Sequence, residues 1–112
     1  MVVINNVIEI KSFDFAVRIV NLYKHLTTDK KEFVLSKQLL RSGTSIGANV
    51  SEAEKAASDA DFNAKMNISL KEANETAYLL KLLYRTEYIN PKQYKSMYND
   101  FLVSICNTSK AN

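Results

Sequence analysis

At 112 residues the chain has the length of one domain and can bury roughly two thirds of the surface its unfolded form exposes, so it needs no staples to hold a core. It is 46% hydrophobic and 24% charged, with one proline and two glycines, a composition of an ordinary globular protein whose few breakers argue for long helices joined by short turns. Fifteen Lys and Arg against twelve Asp and Glu leave a net charge of +3, a mild bias that permits an acidic partner such as nucleic acid without requiring one.

A single cysteine, Cys106, excludes an internal disulfide and fits a reducing compartment; its apolar spacing reads as a small core residue rather than a reactive thiol. No stretch approaches the roughly 18 to 20 apolar residues of a membrane span. Met1 to Ile10 are apolar but lack a basic leader and are followed by Lys11 and Asp14, a poor signal peptide. A cytoplasmic protein with no membrane role is expected.

After a short lead over residues 1–11, helix one is expected from about Ser12 to Leu26. Phe13, Ala16, Val20 and Tyr23 form one apolar seam and Phe15, Ile19, Leu22 and Leu26 a second beside it, wider than one neighbour covers. Asp14, Arg18, Asn21 and Lys24 or His25 make its solvent strip. Thr27 to Asp29 supply a turn. Thr28 or Asp29 is the expected N-cap of helix two, with Glu32 in capping-box position after Asp29.

Helix two is expected over about 30–57, and it carries both glycines. Gly43 and Gly47 lie four apart, on one helical face, with Ser42, Ser45, Ala48 and Ser51 as small neighbours. A glycine inside a helix costs about 1 kcal/mol against alanine, so the pair asks for a compensating close approach of another backbone, as small residues four apart allow. The alternative is a turn at Ser42 to Ser45. Leu39, Ile46, Val50, Ala53 and Ala57 keep a seven-residue register through the segment and favour the helix.

Ser58 and Asp59 open helix three, about 59–88, with Asp61 in the first turn. Met66, Leu70, Ala73, Ala77, Leu80 and Tyr84 make a heptad seam, widened at its end by Leu79, Leu82 and Leu83. Asn90 as cap and Pro91 at the first helical position start helix four, about 91–107, which carries Tyr94, Met97, Tyr98, Phe101, Leu102 and Ile105. Four helices with short connections predict an all-α, antiparallel up-and-down four-helix bundle in a single domain. The doubled seam of helix one and the widened face of helix three predict a homo-oligomer.

No catalytic, cofactor or metal site is visible. His25 has no nearby cysteine or carboxylate partner in the pattern, and a zinc site needs three or four ligands; it reads as a cation at a helix C-terminus. Glu52 and Glu54 face different ways, and the Gly43 to Gly47 segment lacks the Gly-Lys-Ser/Thr of a phosphate loop. One stripe on helix three could bind. Lys71, Asn74, Tyr78, Lys81 and Arg85 follow at helical spacing, with Asn67 one turn earlier, opposite the buried seam. Cations with an interleaved aromatic suit a phosphate backbone and an unstacked base; the competing reading is a solvated face, partly neutralised by Glu72 and Glu75. Lys37, Arg41 and Lys55 on helix two are too scattered to define a groove.

The segment from Leu39 to Ala53, Leu-Leu-Arg-Ser-Gly-Thr-Ser-Ile-Gly-Ala-Asn-Val-Ser-Glu-Ala, followed by Asp61-Phe62, Lys65-Met66, Leu70 to Ala73 and Glu75-Thr76, resembles the four helix bundle protein family, also called 23S ribosomal RNA intervening-sequence proteins. The likeness reaches back through Phe13 to Leu26 and Glu32 to Gln38. It implies a four-helix up-and-down bundle assembled as a ring-like homopentamer. Some members are encoded inside intervening sequences of large ribosomal RNA genes, and a related branch, the accessory variability protein of diversity-generating retroelements, is a basic pentamer that binds nucleic acid and a reverse transcriptase. Gly47 stands where many members carry proline, which leaves open whether helix two bends there. The resemblance carries over no enzymatic residues.

Two functions compete on this reading. The first is an oligomeric RNA- or DNA-binding accessory, in which a ring multiplies a weak basic surface. The second is a protein-interaction scaffold whose apolar faces are subunit contacts.

Overall fold

The computed structural model describes the backbone of residues 6–111 and the side chains of residues 7–104. The described residues form four helices: α1 (Asn6–Thr28), α2 (Leu35–Glu54), α3 (Asp59–Arg85) and α4 (Pro91–Ala111). They pack in a cycle, α1 on α2, α2 on α3, α3 on α4 and α4 on α1, in a body of 45 × 22 × 18 Å. Cross-helix pairs fix the directions. Ser12 and Ile19 of α1 meet Gly47 and Gly43 of α2, and Ile46 and Ser42 of α2 meet Ser69 and Thr76 of α3. Lys11 and Arg18 of α1 meet Ser104 and Asp100 of α4. Each pair runs down one helix as it climbs the other, so neighbours are antiparallel and the bundle is up-and-down.

The helix boundaries depart from the pattern at both ends of α1 and α2 and at the C-terminal ends of α3 and α4. α1 starts at Asn6 rather than near Ser12, because Ile8 is buried in register with Phe15, Ile19, Leu22 and Leu26; residues 6–11 are helix, not lead. Ser12 is no cap: it is buried, and its hydroxyl donates to the Glu9 carbonyl one turn back at 3.2 Å. α2 starts at Leu35 instead of Lys30 and ends at Glu54. Lys31 is left-handed, with φ 55°, which breaks any helix there. Neither Thr28 nor Asp29 caps α2. That task falls to Glu32, whose carboxylate accepts from the backbone N–H groups of Val34, Leu35 and Ser36 at 3.3, 3.1 and 2.7 Å. Burial alone would raise the Glu32 pKa, but those N–H groups outweigh it and hold the carboxyl below its ordinary range.

α3 ends at Arg85, three residues before Tyr88. Glu87 takes φ 67°, and the Glu87 and Tyr88 N–H groups bond the Tyr84 and Leu83 carbonyls at 3.1 and 2.9 Å. This is a Schellman closure with Glu87 where glycine is usual. The starts of α3 and α4 follow their signals. Ser58 Oγ accepts from Asp61 N at 3.1 Å; Asn90 and Gln93 form a reciprocal box, 2.7 and 2.8 Å. α4 continues to Ala111, and Ile105 and Cys106 lie outside the described side chains.

α2 runs unbroken through both glycines, so residues 42–45 are helix and not a turn. A Cβ on Gly43 would fall 2.7 to 2.9 Å from the Ile19 side chain, and one on Gly47 would fall 3.1 Å from the Ser12 carbonyl oxygen. The core comes in two parts. The larger gathers Phe15, Ile19, Leu26, Leu39, Ile46, Leu80, Leu83 and Phe101 among others; the smaller gathers Ile8, Val50, Ala53, Ala56, Phe62 and Met66. Buried hydroxyls line the helix crossings, and each has a backbone carbonyl or hydroxyl within reach, as at Ser69 Oγ to the Ile46 carbonyl, 2.9 Å, and Thr76 Oγ1 to Ser42 Oγ, 3.0 Å.

The surface is apolar where the seams did not place it. Of the first seam expected on α1, only Phe13 is strongly exposed; Ala16, Val20 and Tyr23 are half-buried. Val7, Ile10, Phe13 and Val17 form the exposed apolar line of α1 instead, and Phe33 and Val34 project from the turn before α2. Leu79 and Leu83 are buried inside the chain and Leu82 half-buried, so the widened face of α3 is intramolecular core and gives no ground for a subunit contact. Among the described residues no helix is long and apolar enough to cross a membrane.

Candidate nucleic-acid interface

α3 presents its seam to the bundle, with Met66, Ala73 and Leu80 buried, and this turns the opposite face outward. Asn67, Lys71, Asn74, Tyr78, Lys81 and Arg85 are all exposed on that face. From Lys71 to Arg85 the line is about 21 Å long at 1.5 Å per residue. Tyr78, at its middle, is 67% exposed, more than a tyrosine needs for packing.

The acids beside the stripe are engaged elsewhere. Arg41 of α2 bonds Glu72 at 2.9 Å and also pairs with Glu75, so one guanidinium is shared by two carboxylates and offsets the charge of one of them. Lys65, on another side of α3, pairs with Glu52 at 3.2 Å. Lys71, Lys81 and Arg85 have no ion-pair partner among the described residues; Lys37 lies on α2, and Lys55 is the residue just past its end. The three stripe cations therefore outnumber the one carboxylate charge that Arg41 leaves uncompensated at Glu72 and Glu75.

His25 is not a free cation at the end of α1. Its Nδ1 donates to Asp29 Oδ2 at 2.8 Å, an i,i+4 pair that became available because α1 continues to Thr28. Among the described residues no three His, Cys, Asp or Glu side chains gather as a metal ion would require.

Residues 5–105 match the 23S rRNA-intervening sequence protein family. The chain belongs to that family. It is also similar, at 61% identity and a TM-score of 0.90 over 95% of this chain and 96% of the other, to the crystal structure of a protein of unknown function of the S23 ribosomal protein family from Bacteroides thetaiotaomicron. No curated protein matches this member of the intervening-sequence family.

What sequence reasoning missed is at the end of the bundle. There the stripe runs into a cleft that takes its walls from two separate segments, residues 25–30 and 84–93, and only the fold brings them together.

Proposed function

We propose that this intervening-sequence protein is a non-enzymatic, cytoplasmic ring of identical subunits, five in number, that binds RNA or DNA without sequence specificity as a ribonucleoprotein-type accessory. The exposed run of Lys71, Lys81 and Arg85 around Tyr78, with Arg41 offsetting one of the two neighbouring carboxylate charges, carries the binding reading. A flat line of cations on a convex helix face contacts phosphates and has nothing shaped to read base edges in a groove.

Two distinct apolar patches support the assembly. The line Val7, Ile10, Phe13, Val17 and the knob Phe33, Val34 are unlike one another and lie toward different ends of α1. Contacts between unlike patches are head-to-tail, and head-to-tail contacts whose rotation closes form rings. α1 and α3 are diagonal in the bundle. A ring joined through α1 leaves the basic face of α3 turned to solvent, and five copies of a +3 chain multiply the weak contacts of one stripe.

The test is binding of RNA and DNA over a range of salt by the parent and by Lys71→Gln/Lys81→Gln/Arg85→Gln. The variant should fold as the parent does, since exposed cations contribute little to stability, and should bind more weakly with a flatter salt slope. Equal affinity at every salt concentration would make the stripe a solvated face. The exposed line on α1 would then favour the second reading, a protein-interaction scaffold.

A further inference from the structure

The ends of α1 and α3 and the start of α4 enclose a cleft of about 630 Å³, within the size range of small-ligand sites. Its walls include His25 from the last turn of α1, Lys30 from the loop after it, Tyr84 and Arg85 from the end of α3, Tyr88 from the turn that follows and Gln93 from the first turn of α4. Two local features assemble it. The left-handed Glu87 folds Tyr88 back over the end of α3, and the Lys30 N–H closes onto the His25 carbonyl at 3.3 Å, holding that loop against the same end.

The walls combine three chemistries. Tyr84 is fixed by stacking on Tyr94, centroids 4.6 Å apart and planes 5° from parallel, and half-buried Tyr88 adds a second aromatic surface. Lys30 and Arg85 are exposed cations with no ion-pair partner among the described residues, against Glu87 as the one acid in the wall. His25, held at Nδ1 by Asp29, has its Nε2 buried with no hydrogen-bond partner among the described residues, and native proteins leave few such atoms unsatisfied without a reason. Fixed aromatic planes, cations at the rim and polar groups in the wall suit a ligand that joins a planar ring to a phosphate.

Arg85 belongs both to this wall and to the stripe. We infer that the cleft receives one unstacked nucleotide of a single strand lying along α3, its phosphate at Lys30 and Arg85 and its base against Tyr84 and Tyr88. The inference rests on the nucleic-acid reading above and names the form of its ligand. A base inside a duplex is stacked and paired, so only single-stranded segments, loops or ends can supply this nucleotide.

The experiment titrates the full-length protein with adenosine and uridine monophosphates, with the nucleosides and inorganic phosphate as controls, following backbone amide shifts. Single-stranded and duplex RNA are titrated in parallel. A nucleotide should bind about ten-fold or more tightly than phosphate or nucleoside alone, in keeping with what base stacking contributes, with shifts confined to residues 25–30 and 84–93. Lys30→Gln, at an exposed position, should weaken the nucleotide at least three-fold and reduce the preference for single strands. Lys71→Gln/Lys81→Gln should leave the mononucleotide unaffected while weakening long RNA. Nucleotides that bind no better than phosphate, or equally well to Lys30→Gln, would overturn the cleft assignment, and the nucleic-acid reading would survive if the stripe variant still lost RNA affinity. A protein that binds neither RNA nor nucleotide would sink both.

Discussion

Replacing Gly43 with alanine tests whether α1 and α2 touch as closely as the backbone indicates. The new Cβ would stand 2.7, 2.8 and 2.9 Å from Cγ1, Cδ1 and Cγ2 of Ile19. Ile19 is fully buried and stiff at χ1 because it is β-branched, so it cannot swing aside as a surface chain would. Overpacking of this kind costs about 1 to 3 kcal/mol, and exchanging glycine for alanine in a helix gains about 1, so Gly43→Ala should cost about 0 to 2 kcal/mol. That net value alone decides little. Ile19→Ala removes all three clashing atoms, at a cost of about 2 to 5 kcal/mol by itself, and in that background Gly43→Ala should stabilise by about 1 kcal/mol. The cycle then isolates a coupling of about 1 to 3 kcal/mol. Urea unfolding of the four proteins measures it, with m-values checked for constancy and protein concentration held fixed because assembly shifts midpoints by mass action. A coupling under about 0.5 kcal/mol, with Gly43→Ala stabilising the parent as well, would refute the close crossing.

Three further outcomes follow from single residues. Glu32→Gln removes the carboxylate that caps α2 and should cost about 0.5 to 2 kcal/mol at neutral pH. Because the Glu32 pKa is lowered on folding from 4.5, its contribution is full above that value and drains as pH falls through the depressed folded value, so the parent and the variant should converge in acid melts. Glu87→Gly relieves a left-handed residue at the end of α3 and should raise stability by up to about 1 kcal/mol, read as a higher urea midpoint; a lower one would mean that the Glu87 side chain holds the turn. Phe13→Ser, at a position 66% exposed, should leave the helical signal of the chain intact but reduce its mass in light scattering if α1 forms the subunit contact, and an unchanged mass would move that contact elsewhere.

The four helices were legible because each carries a long apolar period and most carry an end signal that physics makes local. Ser58, Asn90 and Pro91 start helices through hydrogen bonds spanning three residues, or through a fixed φ, and such signals survive in a linear reading. The start of α1 was hidden because Val7, Ile8 and Ile10 are β-branched and poor helix formers, while Ser12 has the chemistry of a cap. Its burial against the Gly47 backbone is a tertiary fact. The start of α2 was hidden because Glu32 caps from three residues outside the helix, just after a left-handed Lys31 that no glycine announces. The stripe of α3 could be read from its period alone. The pairing of its neighbouring acids could not, since Arg41 reaches Glu72 and Glu75 from another helix, 31 and 34 residues away. The cleft was out of reach altogether, as His25 and Lys30 meet Tyr84 to Gln93 only when the bundle closes.

The segment from Leu39 to Ala53 makes sense once both sides of α2 are considered together. Toward α1 it offers Gly43 and Gly47, which let the Ile19 side chain and the Ser12 backbone approach where a Cβ would intrude. Toward α3 it offers Ser42 and the Ile46 carbonyl, which bond Thr76 and Ser69. Larger residues on either side would push a neighbour away, and an apolar residue in place of Ser42 would leave the Thr76 hydroxyl with one partner fewer inside the core. α2 accordingly packs on its two neighbours more extensively than α4 does on its own, and α3 is held along its length against the most closely packed helix of the bundle. That is the condition a binding face on α3 requires. Cations spaced over some 21 Å of one helix act on a phosphate backbone as a set only if the helix beneath them stays straight and in place, and the small residues of α2, with no reactive group among them, serve that purpose by packing alone.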